Sequence, residues 1–426
     1  MEAHGVRDSC GLPVSHLLKS PARTFLFLSQ VYAPDPAAVG QHLADAAEEL
    51  VRRGHRVIVY TSLRGYDDPS ASFPRNETRG GVDIRRVPFS SFGKSSIAVR
   101  LLGGFLFVFQ VVLRAAFQKG IDAVVVSTSP PVGALGGVFL SAIHRAPLKY
   151  WVMDVNPDQT VALGRMAPTS LLVRAFERMN RTVLRRAEDV IVLDRFMALR
   201  MNRKVDVSKK MSVIPPWAAE EPDQVIDHDA NPFRRAHGLA GKVVVMYSGN
   251  HGPSNPLTTI IDAAKRITDD SRLVLLFVGG GIGKGEVDRS ASDVVRSLPY
   301  QPREQLRYSL AAADVHLVTV GDEIPGIVHP SKVYGAMAVE RPILLIGPEE
   351  NHVADLLEVD DIGWHVRHGD VAGAEIVLRE ILATKPEELR AKGRRARKVL
   401  EATGGRTAAC ARVCDVLGQG LPVDGR

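Results

Sequence analysis

Short apolar runs alternate with stretches of three-to-four spacing along most of the chain, and the alternation begins afresh halfway. The first run, Thr24-Phe-Leu-Phe-Leu-Ser29, has no charged interruption and predicts a strand buried on both faces. A loop over Tyr32–Gly40 follows. Leu43, Ala46, Ala47 and Leu50 then recur at helical spacing until Gly54 closes the helix, and Arg56-Val-Ile-Val-Tyr-Thr61 reads as the next strand. Strand, helix and strand in this order form a βαβ unit, which implies a parallel sheet with right-handed crossovers. Further strands are predicted at Asp83-Ile84, Ala123–Ser127, Lys149–Met153 and Asp189–Leu193, with an exposed basic helix over Arg174–Arg186.

The pattern collapses between Val213 and Lys242, where Ile214-Pro-Pro-Trp217 precedes an acidic stretch over Glu220–Asp229. It restarts at Val243–Ser248. A helix over Pro256–Ile267 follows, then strands at Leu273–Val278, Val315–Val320 and Ile343–Ile346, a helix from Pro330 and a helical tail from Pro386. The fold class is therefore α/β, with two Rossmann-like, doubly wound domains. The predicted division is a flexible tail over 1–23, a first domain over 24–215, a linker over 216–242, a second domain over 243–402, and a C-terminal helix and tail over 403–426.

Composition narrows the function classes. The 426 residues are 45% apolar and 24% charged, as in an ordinary globular protein of two or three domains. Net charge +6 allows a basic face for phosphates or anionic lipid but is too mild to indicate a nucleic-acid partner. Cys10, Cys410 and Cys414 make no disulfide framework and fit a reducing, cytoplasmic compartment; the last two read as packed thiols. The N-terminus has no signal-peptide pattern. Leu101–Leu113 is too short to cross a bilayer, which needs about 20 residues, and Ser129-Pro-Pro131 interrupts the uncharged stretch over Ala123–Ile143.

In open parallel sheets, ligands bind beyond the carboxyl ends of the strands, where helix N-termini offer free amides. Three such places stand out in the second half. In Tyr247-Ser-Gly-Asn-His-Gly-Pro-Ser-Asn-Pro256, Gly249 and Gly252 let the backbone approach a phosphate, with Asn255 as helix cap and Pro256 at the first helical position; a tight turn needing glycine for shape is the alternative. Gly279-Gly-Gly-Ile-Gly-Lys-Gly285 has neither Walker nor dinucleotide spacing, so it reads as a rim loop touching ligand by its backbone. In Gly326-Ile-Val-His-Pro-Ser-Lys-Val-Tyr-Gly335, Lys332 sits in a first helical turn, where a cation opposes the helix dipole unless an anion is bound. In the first half, Asp154 and Asp158 follow a strand and are expected to face a cleft, where a carboxylate orients a hydroxyl. Asp227-His-Asp229 reads as an acidic linker rather than a metal site, and no hydrolase triad or metal cluster appears.

These segments, in this order, resemble the GT-B-fold glycosyltransferases of family 4, in particular the bacterial WbuB- and WcaI-like branch of polysaccharide and O-antigen assembly. The matching stretches are Tyr32–Gly40 with Gly54-His-Arg-Val57, Val152–Asp158 with Ala162-Leu-Gly164, Tyr247-Ser-Gly-Asn250, and His329-Pro-Ser-Lys-Val-Tyr-Gly335. The resemblance implies an acceptor-binding first domain and a second domain that binds a nucleotide-diphosphate sugar. Gly40, Gly249, Asn250, Gly279, Gly280, His329, Pro330, Ser331, Lys332 and Tyr334 would line the donor side, and Asp154 and Lys332 would carry the chemistry. It implies a retaining hexosyl or N-acetylhexosaminyl transfer with no metal or other cofactor, to a glycan or a polyprenyl-diphosphate-linked acceptor. The two glutamates that many members carry fall here on Ile327 and Gly335. That departure keeps open a non-catalytic sugar-nucleotide-binding subunit, and a GT-B-like epimerase acting on UDP-N-acetylglucosamine is a third reading. Ile97–Phe117, apolar nearly all round and flanked by Lys94, Arg100, Arg114 and Lys119, reads either as a helix seated on the inner membrane face or as a buried core helix.

Overall fold

The computed structural model describes residues 21–35, 37–65, 70–90, 92, 97–218 and 226–421. Nearly all of the predicted 1–23 tail, Cys10, Lys94 and part of the acidic stretch lie outside the described residues. In chain order the first lobe comprises β1 (Thr24–Leu28), α1 (Ala38–Arg52), β2 (Arg56–Ser62), β3 (Asn76–Arg79), β4 (Val82–Val87), α2 (Ile97–Ala115), β5 (Ala123–Ser127), α3 (Gly133–His144), β6 (Leu148–Trp151), α4 (Asp158–Ala162), α5 (Leu171–Arg186), β7 (Asp189–Val192), α6 (Arg195–Lys204) and β8 (Met211–Val213). The second comprises α7 (Pro232–Ala236), β9 (Val243–Ser248), α8 (Thr258–Arg266), β10 (Leu273–Val278), α9 (Lys284–Arg289), β11 (Val295–Leu298), α10 (Leu306–Ala311), β12 (Val315–Thr319), α11 (Lys332–Ala338), β13 (Ile343–Ile346), α12 (His352–Val359), β14 (Gly363–Val366), α13 (Val371–Ala383) and α14 (Pro386–Ala402); α15 (Gly405–Gly418) follows.

The first sheet runs β3-β4-β2-β1-β5-β6-β7-β8 and the second β11-β10-β9-β12-β13-β14. Every neighbouring pair is parallel except β3 with β4. Helices cover both faces of such a sheet, which is why β1, β5, β10 and β13 are apolar without alternation and buried throughout or nearly so. In each sheet the strand order reverses beside the first strand, β1 or β9, and there the crossover helices diverge and leave a crevice. The two crevices face each other across the cleft.

The last helix does not stay with the second lobe. Ala409, Cys410, Val413, Cys414 and Leu417 of α15 pack into the first lobe's core, and the Cys414 thiol donates to the Ala46 carbonyl of α1 at 3.4 Å. The chain thus crosses between lobes twice, once after Trp217 and once near Gly404. Both crossings meet at Asp45 of α1. Its carboxylate accepts from Trp217 Nε1 at 2.7 Å and from Arg406 at 2.7 Å.

Helix α14 packs on α11, and it comes closest where Gly393 lies under the Glu340 carbonyl: a Cβ there would stand 2.0 Å from that oxygen. Glu340 already has φ 54° and has little room to yield. Gly393→Ala is therefore expected to cost about 1–3 kcal/mol of stability, as over-packing does. Urea denaturation checks this, and an unchanged midpoint would show that the α11–α14 seam yields freely.

Candidate active site between the lobes

The cleft encloses a cavity of about 210 Å³ between the α1 start and the β6–α4 loop of the first lobe and the loops after β9 and β12 of the second. Asp154, Asn250, His329, Pro330, Ser331 and Lys332 all line it. Lys332 is the first residue of α11, and no side chain caps that helix. Its ammonium lies 4.8 Å from the centroid of the Tyr247 ring. Among the described residues it has neither a hydrogen-bond nor an ion-pair partner. Burial lowers its pKa to about 8.

The loop after β9 is shaped to admit this lysine. Gly249 has φ 123°, a conformation that favours glycine, and a Cβ there would stand 2.8 Å from Lys332 Cε and push the end of that side chain aside. Gly279 and Gly280 lie one layer behind. A Cβ on Gly279 would come within 2.0 Å of the Gly249 carbonyl, and the Gly280 carbonyl accepts from His251 N–H at 2.7 Å and from His251 Nδ1 at 3.1 Å. Their backbone holds the 249–251 turn in place. Lys284 of the same glycine-rich loop is tied to β11, donating to Ser297 Oγ at 2.7 Å. The expected cap at Asn255 is not formed. Its N–H closes a turn onto Gly252 at 3.0 Å, and α8 starts only at Thr258, without a side-chain cap.

Across the cavity, Asp154 follows β6. Its N–H donates to Thr128 Oγ1 at 3.0 Å, and a β-bridge pairs it with Val328 of the opposite lobe. Burial pushes its carboxyl up to about 6, opposed by the charge of Arg100. Asp158 does not share this setting, contrary to expectation. It pairs with Arg200 at 3.1 Å and Lys204 at 2.7 Å, because α4 turns it toward α6. Gly40 lies in the first turn of α1, where a Cβ would stand 3.0 Å from Tyr32 Cα and N. It lets α1 approach the 31–32 loop and places Val39 and His42 on the cavity wall. His228 lies 3.5 Å from Asp314, and among the described residues no cluster of three His, Cys, Asp or Glu side chains is arranged to hold a metal.

His329 is engaged on both sides of its ring. Its Nδ1–H donates to Asp194 Oδ2 at 2.6 Å, and its Nε2 meets the Tyr334 hydroxyl at 2.8 Å. That hydroxyl in turn meets His352 Nε2 at 2.8 Å. Burial opposes the charge on Asp194, but hydrogen bonds from His329 and the Met197 N–H overcome it and lower its pKa. Burial, aided by the neighbouring His329, keeps His352 neutral by lowering its pKa. His329 and Tyr334, two expected donor contacts, thus spend their polar atoms inside the protein.

Asp194, His352 and His42 escaped the sequence reading. His42 packs edge-on against Trp217 at 4.7 Å, its Nδ1 has no partner among the described residues, and burial lowers its pKa to about 4. The one available signal was its place at helical spacing from Ala46 and Leu50, a polar residue on an apolar face.

Residues 37–217 match the model of the glycosyl transferase 4-like domain. WbjE of Pseudomonas aeruginosa, named as a glycosyltransferase, is 27% identical over 309 residues, covering 70% of this chain and 76% of WbjE. WcaI of Escherichia coli, named as a colanic acid biosynthesis glycosyl transferase, is 25% identical over 345 residues, covering 77% of this chain and 84% of WcaI. Among solved structures, sucrose-phosphate synthase from Thermosynechococcus elongatus superposes with a TM-score of 0.75 at 17% identity, covering 93% of this chain and 98% of that one. HepE of Anabaena, crystallised with UDP and glucose, gives 0.67 at 15% identity, covering 93% and 99%. The resemblance to family 4 glycosyltransferases and the GT-B fold both hold.

The cleft is expected to titrate away from ordinary values. In the free protein, followed through the ¹³C shifts of labelled carboxyl and ε-carbons, Asp154 should show a midpoint near 6 and Lys332 one near 8. Midpoints of about 4 and about 10 would mean that water reaches both groups freely.

Proposed function

Starting from a glycosyl transferase 4-like first lobe on a GT-B frame, we propose that the chain is a retaining transferase. It moves a hexosyl or N-acetylhexosaminyl group from a nucleotide-diphosphate sugar to a glycan or polyprenyl-diphosphate-linked acceptor. The observation that carries this reading is Lys332, a half-buried cation that has no counter-charge among the described residues and faces a cavity between two lobes. A diphosphate supplies the missing charge. The names of HepE's bound ligands and of the polysaccharide-pathway relative point the same way.

When the bond from the anomeric carbon to the diphosphate oxygen breaks, negative charge grows on the leaving group. The Lys332 ammonium and the N–H groups of Asn250 and Lys332 face that charge, and such preorganised donors stabilise it most where water is excluded. The acceptor hydroxyl attacks from the face the diphosphate leaves, and its proton passes to a departing phosphate oxygen. Asp154, largely ionised at neutral pH, accepts a hydrogen bond from that hydroxyl and aims it. These residues stabilise the leaving group without requiring a metal.

The positions where many family members carry glutamates hold Ile327 and Gly335, which favours one rival reading, a subunit that binds the sugar nucleotide for a partner transferase. Lys332→Ala is expected to cut transfer about 100- to 1000-fold, as losing one charge-stabilising donor does. Wild-type kcat/KM should be bell-shaped. It falls below about pH 6 as Asp154 takes up a proton and above about pH 8 as Lys332 loses one, and Asp154→Asn should abolish the acid limb. Undiminished transfer by Lys332→Ala refutes the phosphate assignment. Tight donor binding without turnover on any acceptor favours the subunit.

The acceptor lobe has a surface suited to lipid. Helix α2 buries Phe107, Val111 and Ala115 while Leu102, Phe105, Phe109 and Leu113 form an exposed stripe at helical spacing; Phe139 of the neighbouring α3 is 65% exposed. One face of α2 is thus buried in the core and the opposite apolar face is exposed. Helix α5, packed beside α3, shows Arg174, Arg178, Arg181 and Arg185 to solvent. No helix among the described residues is long and apolar enough to cross a membrane. The proposal is that this face rests on an anionic bilayer, the apolar stripe at the acyl boundary and the arginines among headgroups. Flotation with vesicles rich in anionic lipid should carry the wild type and leave a Phe105→Asp/Phe109→Asp variant at the bottom; equal behaviour of the two overturns it.

A further inference from the structure

The turn that presents Lys332 belongs to the second lobe but is held by the first. Residues 325–329, just ahead of it, are gripped from two sides. On one side, the Val155 N–H donates to the Ile327 carbonyl at 2.9 Å beside the Asp154–Val328 bridge. On the other, the start of α6 closes in. Arg200 donates to the Pro325 carbonyl at 3.3 Å, and Gly326 lies so near that a Cβ would stand 2.6 Å from the Phe196 carbonyl. Arg195 adds a bidentate pair with Asp355 of α12, at 2.6 and 2.8 Å. The innermost contact is the one between Asp194 and His329, both almost wholly buried.

We propose that Asp194 is a positioning residue of the transfer reaction, acting across the lobe junction through His329 to fix the turn from which Lys332 reaches the diphosphate. This inference rests on the transferase reading above and adds a residue that touches neither substrate. Asp194 accepts twice: Oδ1 takes the Met197 N–H at 2.7 Å and caps α6, while Oδ2 takes His329 Nδ1–H at 2.6 Å. Both nitrogens of the His329 ring are thereby occupied, Nδ1 by Asp194 and Nε2 by the Tyr334 hydroxyl, and that hydroxyl also meets His352 Nε2. The hydrogen-bonded chain of side chains runs from α12 through α11 into the first lobe. It locks the His329 ring, which immediately precedes Pro330, Ser331 and Lys332. A lobe opening that pulls Asp194 from His329 releases that turn, so Lys332 is in place only when the acceptor wall is in place too.

Two readouts on the full-length chain test this. The first is the Lys332 titration midpoint, which needs neither ligand nor turnover. Asp194→Ala and His329→Ala should each raise it from about 8 toward the ordinary value of about 10.4 as the ammonium gains water. Asp194→Asn, which can still cap α6 and bond the ring by its amide, should leave it near 8. The second uses UDP-glucose as probe. Both alanine variants should lose about 100-fold in kcat/KM, the scale of a misplacement of about 1 Å, shared between kcat and affinity for the probe because Lys332 serves both. Should Asp194→Ala fail to fold, His329→Ala, which leaves the α6 cap intact, decides alone. A midpoint that stays near 8 in the folded alanine variants, or an Asn variant as impaired as Ala, overturns the inference. A wild type without turnover of any sugar nucleotide would instead fault the transferase reading and leave the titration result standing.

Discussion

A cation withheld from water and given no counter-charge raises the free energy of the protein that contains it. Lys332, half-buried and without a counter-charge among the described residues, is held partway to that condition, and much of the cleft is arranged around it. The Tyr247 ring beneath the ammonium offsets part of the cost through its negative face. Gly249 keeps the path of the side chain open, and the glycines behind it keep Gly249 in position. The same disposition follows from topology. Both sheets reverse their strand order beside their first strand, so both bring their most open loops to the facing walls. An anion bound in the cleft would relieve a cost already present in the empty protein.

The central strands were legible because burial on two faces forbids polar interruptions. Ala123–Ser127, Val243–Ser248, Leu273–Val278 and Ile343–Ile346 match the sequence reading to the residue. The strands that went unread are β3, β8, β11 and β14, which are the four sheet edges. An edge strand needs apolar residues on fewer sides, and Asn76-Glu-Thr-Arg79 or Val295-Arg-Ser-Leu298 carries no run to detect.

The site was legible in the same uneven way. Asp154 and Asn250 announce themselves by following an apolar run and Lys332 by its place in a first helical turn, and the cleft gathers them. Asp158 follows the same strand yet points elsewhere, since one turn of α4 is enough to redirect it. Asp194 reads locally as an ordinary helix cap. Its second oxygen meets a ring 135 residues later, and no local spacing encodes a contact of that span. His352 and His42 likewise take their meaning from what the fold brings opposite them.

Asp45 joins Trp217, at the first crossing between lobes, to Arg406, at the second. A two-lobed protein joined by one linker swings and twists about that linker in any direction. Two strands of chain secured to one carboxylate behave as a pinned joint, which keeps rotation about the pin and suppresses sliding and torsion. Any relative movement of the lobes is thus least opposed about that point, and the facing walls of the cleft share one anchor.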